Sequence, residues 1–276
     1  MSGGIGPERL SLNTATVREQ WDLAQCIEGC ARHGIAGISP WRDKLHEMGV
    51  DKAARAIRDA GLRVSGLCRG GWFTESGAIN QAVIDDNTRA VDEAATLGAD
   101  CLVMVVGGLP RGSKDLPRAW DLVEEGLART LDHARKAGVK VAIEPLHPMY
   151  AADRACVNTM AHALDLCDRL GDGIGCAVDV YHVWWDPALA AQIERAGRDR
   201  LMAFHICDWL VPTRDLLTDR GMMGDGVIDI PHLRGLVETQ GFEGLNEVEI
   251  FSDRDWWRRD PDEVLATVVE RARTVC

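Results

Sequence analysis

The chain has 276 residues, 46% of them hydrophobic, and carries 31 Lys and Arg against 43 Asp and Glu, for a formal net charge of −12. Such a field repels phosphate backbones and anionic lipid surfaces, so neither nucleic acid nor membrane is an expected partner. No stretch approaches the ~18 consecutive apolar residues of a membrane span, and Met1 to Leu10 has no apolar leader segment. Nine cysteines without a CxxC pair fit reduced, buried thiols in a cytoplasmic protein.

Taken in order, Leu10–Asn13 is a short strand candidate. Thr16 is read as the cap of a helix running to Arg32 and closed by Gly34, a residue suited to the left-handed position after a helix. Residues 35–39 form the next strand, 50–60 a helix and 63–68 a strand, followed by the Gly-rich aromatic loop Arg69-Gly-Gly-Trp-Phe73. An amphipathic pattern over 80–97 precedes Cys101–Val106, whose unbroken apolar run marks a buried strand. A helix over 116–137, the strand Val141–Ile143, helices near 157–170 and 187–196, strands near 175–180 and 202–207, a helix near 231–240, the strand 245–251 and a helix over 261–274 complete the chain. Eight strand-then-helix units imply a parallel eight-stranded sheet closed into a single (β/α)8 TIM barrel over residues 1–276, with functional groups expected at the carboxyl ends of the strands. An open dinucleotide-binding sheet would call for a GxGxxG turn after the first strand, which is absent.

Four of these strands end in chemistry. Val141-Ala-Ile-Glu144 runs into Pro145, which cannot donate to a ladder, and leaves Glu144 at the strand end. Cys176-Ala-Val-Asp-Val-Tyr-His182 carries Asp179 and His182, Leu201 to Asp208 carries His205 and Asp208, and Leu245 to Phe251 carries Glu247 and Glu249. Buried strands do not retain such groups unless they are paired or bind a metal. Two Glu, one Asp and one His make a mixed oxygen and nitrogen donor set, suited to Mn, Mg, Co or Zn and not to a thiolate site. Asp208 is read as the carboxylate that orients His205.

The pattern resembles the xylose isomerase-like barrels, specifically the sugar phosphate isomerase/epimerase family that includes tagatose 3-epimerase, hydroxypyruvate isomerase and inosose dehydratase. The resemblance implies one divalent ion, Mn, Mg or Co ahead of Zn, held by Glu144, Asp179, His205 and Glu249. Asp179-Val-Tyr-His182 resembles the family's D-x-x-H, whose His contacts a substrate oxygen, and Arg220-Gly-Met-Met-Gly-Asp-Gly226 resembles its R-x-x-x-G-x-G loop. Arg220 is thereby expected to bind substrate, with Arg214 as its competitor and Trp72 as a sugar-stacking wall. Residues 210–218 lengthen the usual spacing from His205 and read as an inserted lid. Two departures stand out. His147 occupies a position that is commonly Asn, where an imidazole beside the metal can serve as a base, and Tyr150 occupies that of a substrate-binding Glu in ketose epimerases.

What the resemblance implies for activity is a metal-dependent isomerase or epimerase of a small sugar or sugar derivative. It would move a proton through an enediolate, with Glu144, Glu249 and His147 as catalytic groups. A lyase acting on an oxidised sugar, of the inosose dehydratase or 3-oxo-C-glycoside deglycosidase type, is the alternative; a non-catalytic sugar-binding barrel is the third. A homo-oligomer is expected, or a small partner subunit if the protein is deglycosidase-like.

Overall fold

The computed structural model describes residues 3–276. Nine parallel strands form one sheet: β1 (Leu10–Asn13), β2 (Gly37–Ser39), β3 (Arg63–Val64), β4 (Leu67–Gly71), β5 (Leu102–Val105), β6 (Val141–Ile143), β7 (Ile174–Asp179), β8 (Leu201–Ile206) and, late in the chain, Asn246–Val248. In spatial order the sheet runs from β3 through β2 and β1 to Asn246–Val248, and on through β8, β7, β6 and β5 to β4. Its two edge strands are halves of one segment, 63–71, broken at Ser65-Gly66. A bridge from Trp41 to Cys68 and the bond from Cys68 N to Pro40 O join β4 to the end of β2, so nine strands make eight staves of a barrel.

Helices cover the outside: Leu23–His33, Gln81–Leu97, Leu116–Ala137, Met160–Leu170, Leu189–Arg200, Ile230–Thr239 and Pro261–Val275, with Arg42–Met48 and Val50–Asp59 behind the second stave. Gly34, Gly98 and Gly138 close their helices in the left-handed conformation, as the sequence predicts. The first helix starts at Leu23, six residues later than a cap at Thr16 suggests. Asp22 and Gln25 form a reciprocal capping box there. Thr16 instead fastens the last stave, donating to Val248 O at 2.9 Å and accepting from Ile250 N at 3.0 Å. The short helix Arg42–Met48 was not expected, and the last stave, expected over 245–251, is a strand over Asn246–Val248.

Strand alternation builds two different surfaces from one run of residues. Outward-facing Leu102, Met104 and Val178 join the large core beneath the helices, whereas Cys101, Val103, Ala142, Ala177 and Ala203 form a small separate cluster inside the barrel. Ala142, Ala177 and Ala203 each stand two residues before Glu144, Asp179 and His205, so the alternation that fills the barrel with small side chains also points the polar groups into its mouth. Small inner residues leave space for them to converge.

Candidate metal and substrate site

Register decides which groups meet. His205 on β8 lies opposite Asp179 on β7 and opposite Glu247 on the last stave, which we number β11 after the hairpin strands β9 (Asp208–Trp209) and β10 (Arg220–Gly221). Glu249, two residues beyond Glu247 on the same face, therefore stands above His205, and Glu144 completes the ring from the end of β6. Glu144, Asp179, His205 and Glu249 each offer one ligand atom within 4.8 Å of the others, and all four are buried. Two ligands on opposite sides of a cation at ~2.1 Å lie ~4.2 Å apart, so shifts of a few tenths of an ångström close this set around a divalent ion. Three carboxylates with one imidazole are the appropriate donors. These residues fit a metal.

The electrostatics agree. Burial, reinforced by Glu144 and opposed by Arg220, pushes Glu249 up to about 8. Burial works against a charged His205, yet Glu247, Glu144 and Glu249 outweigh it and hold the imidazole well above its ordinary value. Asp179 goes the other way: burial opposes its charge, but Arg220, His182 and His205 draw it down. Crowded buried carboxylates of this kind are relieved by a cation.

Behind the cluster lies a second layer. Glu247, 1% exposed, accepts from Asn13 Nδ2 and Ser65 Oγ, both at 2.7 Å, and stands 3.5 Å from His205 Nε2. His205 Nδ1 faces Glu144 at 3.1 Å. The carboxylate behind the histidine is thus Glu247, and the expectation that Asp208 fills this role is corrected. Asp208 accepts from the backbone N–H groups of Trp209, Gly224 and Ile228 and shapes the loop after β10.

The cluster opens into a cavity of about 180 Å³, lined by Glu144, Glu249, His182, Arg220, Tyr150, Trp41 and Phe251, among others. Arg220 is 3% exposed; its Nη1 donates to Asp179 Oδ2 at 3.0 Å and to Glu249 Oε2 at 3.1 Å. His182 Nδ1 accepts from the backbone N–H of His147 at 3.2 Å, which assigns the ring proton to Nε2. Burial pulls this imidazole down to about 3, Asp179 notwithstanding, so it is neutral. Its Nε2–H stands 3.1 Å from Arg220 Nη2. Asp179 Oδ2 stands 3.6 Å from the same Nε2, beyond hydrogen-bond reach, so two donors converge on a place that a substrate hydroxyl or carbonyl oxygen would complete.

Three other expected substrate or catalytic residues lie elsewhere. Arg214 is exposed and bound to Asp219 through its backbone N–H and its guanidinium, so Arg220 alone of the two reaches the cavity. Trp72 lies beneath the Arg69 guanidinium, 4.6 Å from its ring centroid, and does not line the cavity. The His147 ring packs against Trp209 and Trp185 at centroid distances of 5.1 and 5.5 Å, outside the lining, and burial lowers its basicity. Each sits on the segment the sequence indicates, but turned to a neighbour. Tyr150 lines the cavity while its hydroxyl donates to Leu216 O, as does that of Tyr181 at 3.2 Å. The inserted segment is thereby tied across the mouth, with Leu217 in the wall.

Arg69, Arg154, Trp41 and Asn13 were missed. Asn13 ends β1 and Trp41 follows β2, at the same strand ends as the acids, and that position is the signal that could have found them.

A family model described as the xylose isomerase-like TIM barrel matches residues 27–273. The chain belongs to that family. Among its xylose isomerase-like relatives, the protein named inosose isomerase from Bacillus velezensis is 26% identical over 97% of this chain and 96% of its own. A crystal structure of a protein from Sinorhizobium meliloti is 59% identical, covering 98% of this chain and 99% of the other with a TM-score of 0.95. Two more distant structures share the fold. The IolI protein with a bound zinc atom is 21% identical at a TM-score of 0.81, each chain covered to 97%. The 3-keto-D-glucoside 4-epimerase YcjR of E. coli is 20% identical at 0.73, over 92% of this chain and 94% of its own. Among the described residues no helix is long and apolar enough to cross a membrane.

Proposed function

We propose that the protein is a divalent-metal-dependent isomerase or epimerase acting on a small polyhydroxylated carbonyl compound, a sugar or a cyclic keto-polyol such as an inosose. The convergence of Glu144, Asp179, His205 and Glu249 at the floor of a small cavity carries this reading. The names of the inosose isomerase relatives and the epimerase fold neighbour point the same way. A cavity below the ~300–1,000 Å³ of drug-sized sites suits a single sugar, and an oxygen-rich donor set favours Mn, Mg or Co over Zn.

When bound, the cation supplies Lewis acidity toward a substrate carbonyl. Asp179 and His205 are essentially inaccessible and serve to hold it, whereas Glu144 and Glu249 are ligand candidates that also line the cavity. These two carboxylates come from opposite sides of His205, so one can take the proton beside a carbonyl and the other can return it. The His182 Nε2–H and Arg220 Nη2 hold a substrate oxygen between them, which fixes the carbon that exchanges. Leu217 and the segment tied down by Tyr150 and Tyr181 keep water from the reacting carbon.

The test is incubation of metal-loaded protein with inososes and ketoses in D₂O, followed by NMR. Deuterium should enter the carbon beside the carbonyl together with isomer formation, and Glu144→Gln or Glu249→Gln should slow exchange by about 10² to 10⁴-fold. Loss of water or of an aglycone without isomer would convert the assignment to a lyase. Wild-type exchange rates in both variants would remove the roles given to the two carboxylates.

A further inference from the structure

The wall above the acidic cluster is basic. Although the chain carries a net charge of −12, Arg18, Arg69 and Arg154 line the same cavity as Glu144 and Glu249. Arg18 is engaged, its Nη2 lying 2.7 Å from Asp43. Arg69 and Arg154 are not: among the described residues neither has a carboxylate at ion-pair distance. Both contact aromatic rings instead. The Arg69 guanidinium lies over Trp72 at 4.6 Å and near Trp41 at 5.8 Å, and that of Arg154 lies over Tyr150 at 5.5 Å. Burial, together with the like charges of Arg154 and Arg42, pulls Arg69 below its ordinary value. Half-buried guanidiniums that repel one another and lack an acceptor are costly unless an anion sits between them. Aromatic stacking leaves their N–H edges free while holding the planes still, which suits the bidentate recognition of carboxylate or phosphate.

Their place relative to the acids is set by contacts. Arg69 packs on Trp41, whose Nε1 donates to Asn13 Oδ1 at 2.9 Å, and Asn13 Nδ2 donates to Glu249 Oε1 at 3.0 Å. The basic wall is therefore one indole and one amide away from the acidic floor, within the reach of a single small molecule.

We propose that Arg69 and Arg154 form an anion subsite, so that the natural substrate is a sugar derivative bearing a carboxylate or a phosphate. Its charged group faces the two guanidiniums while its carbonyl end faces Glu144 and Glu249. The inference rests on the isomerase reading for the carbonyl end only. Three acyclic polyols without a carbonyl separate the two ideas, because they bind without turnover: D-glucitol, D-gluconate and D-glucitol 6-phosphate. Calorimetric titration into metal-loaded protein should show at least one of the two anions binding about tenfold or more tighter than the neutral polyol. Whichever anion wins identifies the group as carboxylate or phosphate. Arg69→Gln and Arg154→Gln should each erase most of that preference and leave D-glucitol affinity within about threefold. Arg154 is half-buried on a loop, so its variant carries the test even if the Arg69 variant fails to fold. Neither anion exceeding D-glucitol, or a preference that survives in Arg154→Gln, overturns the subsite. Anion preference without deuterium exchange on any carbonyl substrate would instead retain the subsite and sink the isomerase assignment.

Discussion

Replacing Glu247 by Gln keeps the volume of a buried side chain and deletes one negative charge 3.5 Å behind His205. The neighbours can adapt. Ser65 Oγ already lies 2.7 Å from Ser11 Oγ, so it can turn to accept from the new amide. The new carbonyl oxygen then still accepts from Asn13 Nδ2, now 2.7 Å from Glu247. What is lost is the charge that orients His205 and raises its basicity as a ligand. Outer partners of this kind are worth about 10 to 100-fold in metal affinity, or about 1.4–2.7 kcal/mol. Competition titration with a fluorescent chelator should show that weakening in Glu247→Gln, with the metal-free protein still unfolding in one cooperative thermal transition. Asp208→Asn is the control. Its carboxylate serves three loop N–H groups and does not touch His205, so metal affinity should stay within about threefold of wild type while the fold loosens. Metal affinity of Glu247→Gln equal to that of wild type, or a loss as large in Asp208→Asn, would refute this account of His205.

Metal binding should also be linked to protons. It takes Glu249 as a carboxylate and His205 as a neutral imidazole, yet in the metal-free protein Glu249 is pushed up to about 8 and His205 is held above its ordinary value. Affinity should therefore fall below about pH 8, by up to about tenfold per pH unit for each proton displaced. Both folded-state values are raised, so the stability these two groups contribute is complete below their unfolded values and lost as pH rises through the folded ones. The rise in Tm on adding metal should grow between about pH 5.5 and 8.5, and a flat difference would contradict the assignment. A third prediction concerns the close approach of β4 to β5. Gly71 has φ +113°, and a Cβ there would meet Val105 O at 1.9 Å. Gly71→Ala should cost about 2 kcal/mol or more by denaturant unfolding, and a loss under about 0.5 kcal/mol would show that the segment relaxes freely.

The sequence by itself determined the barrel and which strand ends carry acids and imidazoles. Glu144, Asp179, His205 and the Glu247/Glu249 pair each end a short apolar run, a local pattern that needs no long-range contact to be read. The glycines after the helices and the apolar runs between them then set the order of staves. The outward sides of the same strands, Leu102 and Val178 among them, needed no further information to be placed beneath helices.

Only the tertiary structure decided which partners each group has. Register, which depends on long-range pairing, put Glu247 and not Asp208 behind His205 and raised Glu249 to the cavity. Loop side chains obey no period. His147 turned to the tryptophans and Arg214 to Asp219, while Arg69, beside the Trp72 that the sequence singles out, was the residue that reached the cavity. Their directions come from contacts between segments far apart in the chain, and local pattern carries no record of those contacts.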